Sequence, residues 1–293
     1  MIDKNQIIGM IPPIVTPFDE KGNIDFEATR KEIKYLLCTG IDGISSGGST
    51  GEGVILTDED NKEILKIIKE ENINNIPVVA GIIKNSTEDA IRSALVAKKA
   101  GADALLVTPV FYFGATLEGN YEYYNSIAEA TNLPIIIYNV IPTNQITPQA
   151  MLRLSEIEQV IGIKQVDITN FAEMVSLCGD KINVYCARDD MLYSTYVLGA
   201  VGAISAMITV APEQCVKQWR AFQNGDQTTA MKIQSKLFHA YKAYEGRPFP
   251  GKIKEILNQL GRPVGICKTP ILEPDKGEKD YIRKSLKKAG LLK

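Results

Sequence analysis

Histidine is almost absent from this 293-residue chain, His239 being the only one. A Ser-His-Asp triad would have to use that single residue, and a metal site built from several histidines is excluded. Its setting, Lys236-Leu237-Phe238-His239-Ala240-Tyr241, reads as helix, where a packing or surface role is the ordinary one. Cysteine is also scarce. The five residues Cys38, Cys178, Cys186, Cys215 and Cys267 are odd in number, far apart and in no CxxC spacing, so neither a disulfide framework nor a zinc site is indicated. No apolar run approaches the length needed to cross a bilayer, and Met1-Ile2-Asp3-Lys4-Asn5-Gln6 carries no apolar signal core, so a cytoplasmic protein with reduced thiols is expected. An excess of one charge is missing too. With 33 basic and 35 acidic residues the net charge is -2, and the absence of a basic stripe argues against nucleic acid or an anionic membrane as partner. The expected ligand is small.

What is present is an alternation. Apolar runs of strand length at 8–16, 43–46, 78–81, 104–108, 135–139, 161–164, 183–186 and 202–205 are separated by amphipathic segments of helix length. Eight such units predict an α/β protein, a (β/α)8 TIM barrel, and the length suits one barrel with an addition. Helix starts are marked by Ser86-Thr87-Glu88-Asp89, Thr57-Asp58-Glu59-Asp60 and Thr147-Pro148. Past residue 205 the strand signal stops. Segments 213–223, 227–244, 253–260 and 279–289 read as a C-terminal helical appendage, which divides the chain into a catalytic barrel, 1–223, and a helical region, 224–293.

Within the sixth run, Val160-Ile161-Gly162-Ile163-Lys164-Gln165 delivers one lysine to the tip of an otherwise apolar strand. Lys164 could snorkel to water, or it could be an amine whose burial favours the neutral nucleophile that attacks a carbonyl and forms a Schiff base. Barrel active sites gather at the C-terminal ends of the strands. The second strand ends there in Gly47-Gly48-Ser49-Thr50-Gly51-Glu52-Gly53, which lacks the Gly-Lys-Ser/Thr ending of a P-loop. Such a turn offers N–H groups and two hydroxyls to a small anion, or is simply a turn. The fifth ends in Tyr138-Asn139-Val140-Ile141-Pro142, where Tyr138 either relays protons or caps the barrel core.

Together, Gly-Ser-Thr-Gly-Glu, Tyr-Asn-Val before a proline, and Gly-Ile-Lys resemble signatures of the dihydrodipicolinate synthase/N-acetylneuraminate lyase superfamily. The likeness extends to Ile14-Val15-Thr16-Pro17-Phe18, Val107-Thr108-Pro109, the run 199–205 and Lys268-Thr269-Pro270. It implies a class I lyase in which Lys164 forms the Schiff base with pyruvate or another 2-oxo acid. By the same likeness Tyr138 relays protons with Thr50, Ser49 and Thr50 hold the carboxylate, and the Ile204 carbonyl lines the pocket. No cofactor is implied, and the expected partner is a second copy of the chain, in a homotetramer arranged as a dimer of dimers.

Departures from the superfamily pattern bear on the substrate. Synthases of the lysine pathway have a tyrosine two residues after the fourth-strand proline, where this chain has Phe111, so that relay is broken or rerouted through Tyr112. They also carry an arginine after the fifth-strand tyrosine. Here Thr143 and Asn144 follow, able to donate hydrogen bonds but not a charge-assisted pair. Arg188, in Cys186-Ala187-Arg188-Asp189-Asp190, either supplies the missing anion clamp or pairs with Asp189 or Glu52 outside the pocket. These features rank aldolases of 2-keto-3-deoxy acids above the lysine-pathway synthase. A Schiff-base dehydratase or deaminase and a non-enzymatic 2-oxo acid sensor remain as alternatives.

Overall fold

The computed structural model describes residues 4–293. Strands β1 (Gly9–Ile11), β2 (Ile44–Ser46), β3 (Val78–Ile82), β4 (Ala104–Val107), β5 (Ile135–Asn139), β6 (Val160–Gln165), β7 (Asn183–Cys186) and β8 (Gly202–Ile204) form one parallel sheet. Their order is β1-β8-β7-β6-β5-β4-β3-β2, and the segment just after β1 bridges to β2, Pro13 opposite Ser45, to complete the cylinder. The Ser45 N–H donates to the Pro12 carbonyl at 3.0 Å, and the Ile14 N–H to the Ser45 carbonyl at 2.8 Å. This seam is narrower than the expected strand 8–16 because Pro12 and Pro13 have no N–H to give.

Helices α1 (Phe26–Leu37), α2 (Asp58–Glu71), α3 (Thr87–Lys99), α4 (Leu117–Thr131), α5 (Pro148–Leu154), α6 (Phe171–Cys178) and α7 (Leu192–Val197) alternate with the strands and coat the barrel. Their starts follow local chemistry. Ser86 accepts the Asp89 N–H at 3.2 Å, Thr57 and Asp60 form a reciprocal capping box, and Pro148 occupies the first turn behind Thr147. After β8 come α8 (Ala206–Val210), α9 (Pro212–Gln223), α10 (Gln227–Tyr244), α11 (Gly251–Gln259) and α12 (Lys276–Ala289).

Two of these differ from expectation. The five-residue α8, Ala206-Met207-Ile208-Thr209-Val210, falls in the stretch between residues 205 and 213 that carries no expected element, because five residues are too few to show a helical period. The last helix starts earlier than residue 279 because Asp275 and Glu278 make a second capping box.

Strand residues obey a period of two. Ile135, Ile137 and Ile163 face the helical layer, while Ile136, Tyr138 and Tyr185 fill the barrel interior with Leu106 and Ile204. Nearly all of this surface is lost to water. At roughly 25 cal/mol per Å2 of apolar area, such burial is the main force holding the layers together.

One buried ion pair ties the outer layers. Glu32 on α1 accepts from Arg262 Nε at 3.0 Å, while Arg262 Nη1 donates to the Thr209 carbonyl of α8 at 2.9 Å. The guanidinium also lies 4.2 Å from the centre of the Tyr35 ring. Burial pushes the Glu32 carboxyl above its ordinary pKa, and only Arg262 opposes this. Arg262→Met strands that carboxylate, and we expect urea unfolding to show a loss of about 3–5 kcal/mol.

Candidate active site

The ladder sets the centre of the site. Tyr138 of β5 lies in register with Lys164 of β6, which lies in register with Tyr185 of β7. Because Ile163 faces outward, its neighbour Lys164 points into the barrel, where it is only 5% exposed. Lys164 Nζ sits 3.9 Å from the centre of the Tyr138 ring. The snorkelling alternative is not what the structure shows. Lys164 opens instead on a cavity of about 320 Å3 at the mouth of the barrel, whose wall includes Ser49, Thr50, Tyr138, Ile204 and Asp189.

The turn after β2 is held open by backbone geometry. The Gly51 and Gly53 N–H groups donate to the Gly48 carbonyl at 3.1 and 2.9 Å, and the Glu52 N–H to the Ser49 carbonyl at 3.1 Å. Gly47 takes φ +66°, and a Cβ on Gly53 would fall 1.7 Å from the Gly47 oxygen, so only glycine fits there. Among the described residues no hydrogen bond takes the N–H groups of Ser49 or Thr50. Tyr138 Oη donates to Ser49 Oγ at 3.2 Å. Tyr138, Ser49 and Thr50 thus line the same cavity as the amine, and their hydroxyls with two unpaired N–H groups are donors of the kind that seat a carboxylate beside a reacting carbonyl.

From sequence alone Asp189 reads only as a partner for Arg188. In the structure its carboxylate sits at the start of α8, accepting from the Ser205 hydroxyl and from the Met207 N–H at 3.0 Å. It also lines the Lys164 cavity. Burial raises its pKa, opposed first by Ser205, then by the Met207 N–H, the nearby Tyr244 hydroxyl and the charge of Lys164. The adjacent Asp190 does something else: it takes Nε and Nη2 of Arg188 at 3.1 and 3.2 Å. Phe249, from the segment between α10 and α11, closes another side of the cavity. Its distance in sequence from every strand gave no signal. Only the position of α8 distinguishes the two aspartates.

Other candidates lie elsewhere. Arg188 lines a neighbouring cavity of about 260 Å3 that shares Val140 and Val166 with the first and also holds Gln145 and Asp167. Gln145 donates to Asp167 at 2.9 Å. Asn144 is buried away from both cavities, its amide exchanging hydrogen bonds with Asn120 at 2.8 and 3.1 Å and donating to the Val110 carbonyl at 3.0 Å. Thr143 donates to the Phe111 carbonyl at 2.9 Å. Tyr112 is 75% exposed, stacked edge-on against Phe113 at 4.8 Å, and does not reach the Lys164 cavity of its own chain. Among the described residues no group of three or more His, Cys, Asp or Glu could hold a metal.

A buried amine facing a phenol at the mouth of a (β/α)8 barrel defines the protein as an enzyme of the class I aldolase type, a Schiff-base lyase. Residues 6–289 match the model of the dihydrodipicolinate synthetase family, and the chain belongs to that family. It is 36% identical to the 4-hydroxy-tetrahydrodipicolinate synthase of Bartonella tribocorum, over 97% of this chain and 99% of that one. A crystal structure of the chloride-inhibited dihydrodipicolinate synthase from Acinetobacter baumannii with pyruvate is 29% identical. It superposes with a TM-score of 0.93 over 98% of this chain and 100% of that chain. A structure described as the first monomeric dihydrodipicolinate synthase variant is also 29% identical, with a TM-score of 0.94 over 99% of both chains.

The environment of Asp189 carries a pH signature. A carboxyl whose folded pKa is raised keeps its proton after the unfolded chain has lost it. Stability therefore falls as pH rises from the unfolded value of about 4 through the folded one. Asp189→Asn removes that loss while keeping an oxygen for Ser205 and Met207. The variant should exceed the parent in unfolding free energy at pH 7, and the gap should close by about pH 4 in urea titrations at the two pH values.

Proposed function

We propose that this protein makes or breaks a carbon–carbon bond next to the carbonyl of pyruvate or a 2-keto-3-deoxy acid, with Lys164 as the nucleophile. The observation that carries the reading is the inward Lys164 amine over the Tyr138 ring, in a cavity that also presents Ser49 and Thr50. Lys164 Nζ attacks C2 of the 2-oxo acid, water leaves, and the protonated imine becomes the electron sink for the bond at C3. Ser49 and Thr50 seat the carboxylate through their open N–H groups and hydroxyls, and the Ile204 carbonyl borders the same space. Tyr138, already bonded to Ser49, passes protons to and from the carbinolamine. Asp189, on the wall of the same cavity, can accept a hydroxyl proton of the second reactant.

The second reactant divides the readings. The synthase reaction proper is favoured by the name of the Bartonella relative and its 36% identity. Against it, no cation follows β5. Asn144 is committed to Asn120 and Val110, and Thr143 to Phe111. The cation nearest to hand is Arg188, which lines the adjoining cavity. Asp190 occupies two of its donors and leaves Nη1 to a distal anionic or hydroxyl group in the adjoining cavity.

The same reading takes residues 1–223 as the catalytic barrel and 224–293 as the helical region, and the cytoplasm as compartment. The described residues hold five free cysteines, and none of their helices is long and apolar enough to cross a membrane. Self-association into a homotetramer is part of it. Tyr112 and Phe113, at 75% and 92% exposure, project apolar rings that a second copy of the chain would cover, bringing Tyr112 to the partner's mouth.

Borohydride trapping with pyruvate, read by intact mass and peptide mapping, tests the chemistry. An adduct on Lys164 that is absent in Lys164→Ala is expected, and no adduct with any 2-oxo acid would turn the reading toward a sensor. For the second reactant, Arg188→Ala should raise KM roughly tenfold or more while leaving half-saturation by pyruvate unchanged in steady-state assays. An unchanged KM removes Arg188 from the clamp.

A further inference from the structure

Lys254 of α11 is a fully buried lysine on the C-terminal side of the chain, and it is spent on the turn after β2. Its Nζ lies 2.7 Å from Glu52 Oε1, with the two side chains 2% and 1% exposed. It also donates to the Thr16 and Ile266 carbonyls, each at 2.7 Å. Two of the ammonium's three donors go to these carbonyls, and the Glu52 contact is an ion pair whose angle falls short of a hydrogen bond. Glu52 is equally committed, since Oε2 accepts the Lys268 N–H at 3.1 Å. Thr16 closes the ring of contacts by donating its hydroxyl to the Gly51 carbonyl at 2.7 Å. The Phe18 ring, 4.4 Å from Lys254 Nζ, seals one side.

Burying two charges is a poor way to gain stability. Desolvation costs several kcal/mol per ion, and apolar residues of similar size do as well or better. What a buried pair supplies is a fixed geometry. Glu52 needs one, because it holds φ +56° in the left-handed region that L side chains rarely adopt. It sits two residues after Thr50 and three after Ser49, and its own N–H closes the turn on the Ser49 carbonyl.

We propose that Lys254 and Glu52 are positioning residues. Through them α11 and the segment at Ile266–Lys268 hold the turn in the shape that presents Ser49 and Thr50 to the substrate carboxylate. Affinity for the 2-oxo acid is thereby coupled to the C-terminal helical region, which contributes no nucleophile or proton relay of its own. The proposal rests on the reading of that turn as the carboxylate cradle.

Two measurements on the full-length protein separate the clamp from that reading. Lys254→Met keeps the length of the stem and deletes the charge. Leu36→Ala, which opens a cavity in the wholly buried face of α1, serves as a destabilised control. Hydrogen exchange read by mass spectrometry should show residues 47–53 exchanging faster in Lys254→Met and unchanged in the control. In borohydride trapping, half-saturation by pyruvate should rise roughly ten- to a hundredfold in Lys254→Met, with the amount trapped at saturation within about threefold of the parent. Unchanged exchange at 47–53, or an equal rise in half-saturation for Leu36→Ala, overturns the clamp. If the parent traps no pyruvate, the carboxylate reading fails and the exchange data alone decide the clamp. Glu52→Gln, which keeps the shape and one acceptor, carries the same test if Lys254→Met does not fold.

Discussion

Closure of eight short parallel strands into a cylinder is the constraint on which the remaining features depend. Once the sheet closes through Ser45, Pro12 and Ile14, every second residue of each strand enters a space a few side chains wide. Most of that space is filled by Ile136, Leu106, Tyr185 and their neighbours. At the mouth the filling stops, and the last inward residue of β6 is a lysine. The register that sets Tyr138 beside Lys164 is the same one that pairs Ile136 with Gly162 and Ile137 with Ile163. Packing and the geometry of the candidate site are therefore one arrangement seen at two depths.

Around this centre, polar groups are placed by elements far apart in the chain. The turn after β2 brings open N–H groups and hydroxyls, β5 the phenol, and β8 with α8 the cap that fixes Asp189. Side-chain amides behind the cavity keep the strand ends in line. Asn139 donates to Gln165 at 2.8 Å and binds both backbone groups of Ile146, while Gln165 donates to the Asp167 carbonyl at 2.8 Å. Amides used in this way orient loops without adding charge to a site that already holds an amine and a carboxylate.

The division of labour between Asp189 and Asp190 shows how position sets chemistry. One is desolvated at a helix start beside the lysine cavity, the other is half-buried and committed to Arg188. Lys254 and Lys164 make a comparable contrast. Both are buried, but Lys254 has three acceptors around its nitrogen, while Lys164 has an aromatic face and a cavity. Only the second is open to a carbonyl carbon.

The alternation of apolar runs and capped amphipathic segments by itself determined the eight-stranded barrel, because strand burial on both faces and helix capping are local properties. It also determined Lys164 and Tyr138 as candidates, since a strand tip in a barrel has one destination. Tertiary structure alone decided what depends on contacts between distant segments. Asn144 turned to Asn120, Arg188 went to the neighbouring cavity, and Asp189 and Phe249 entered the site from positions with no periodic signal. The short α8 was equally hidden, as five residues carry too little pattern to separate helix from strand. Those outcomes turn on which polar group finds a partner first, and partners are chosen in space, not along the chain.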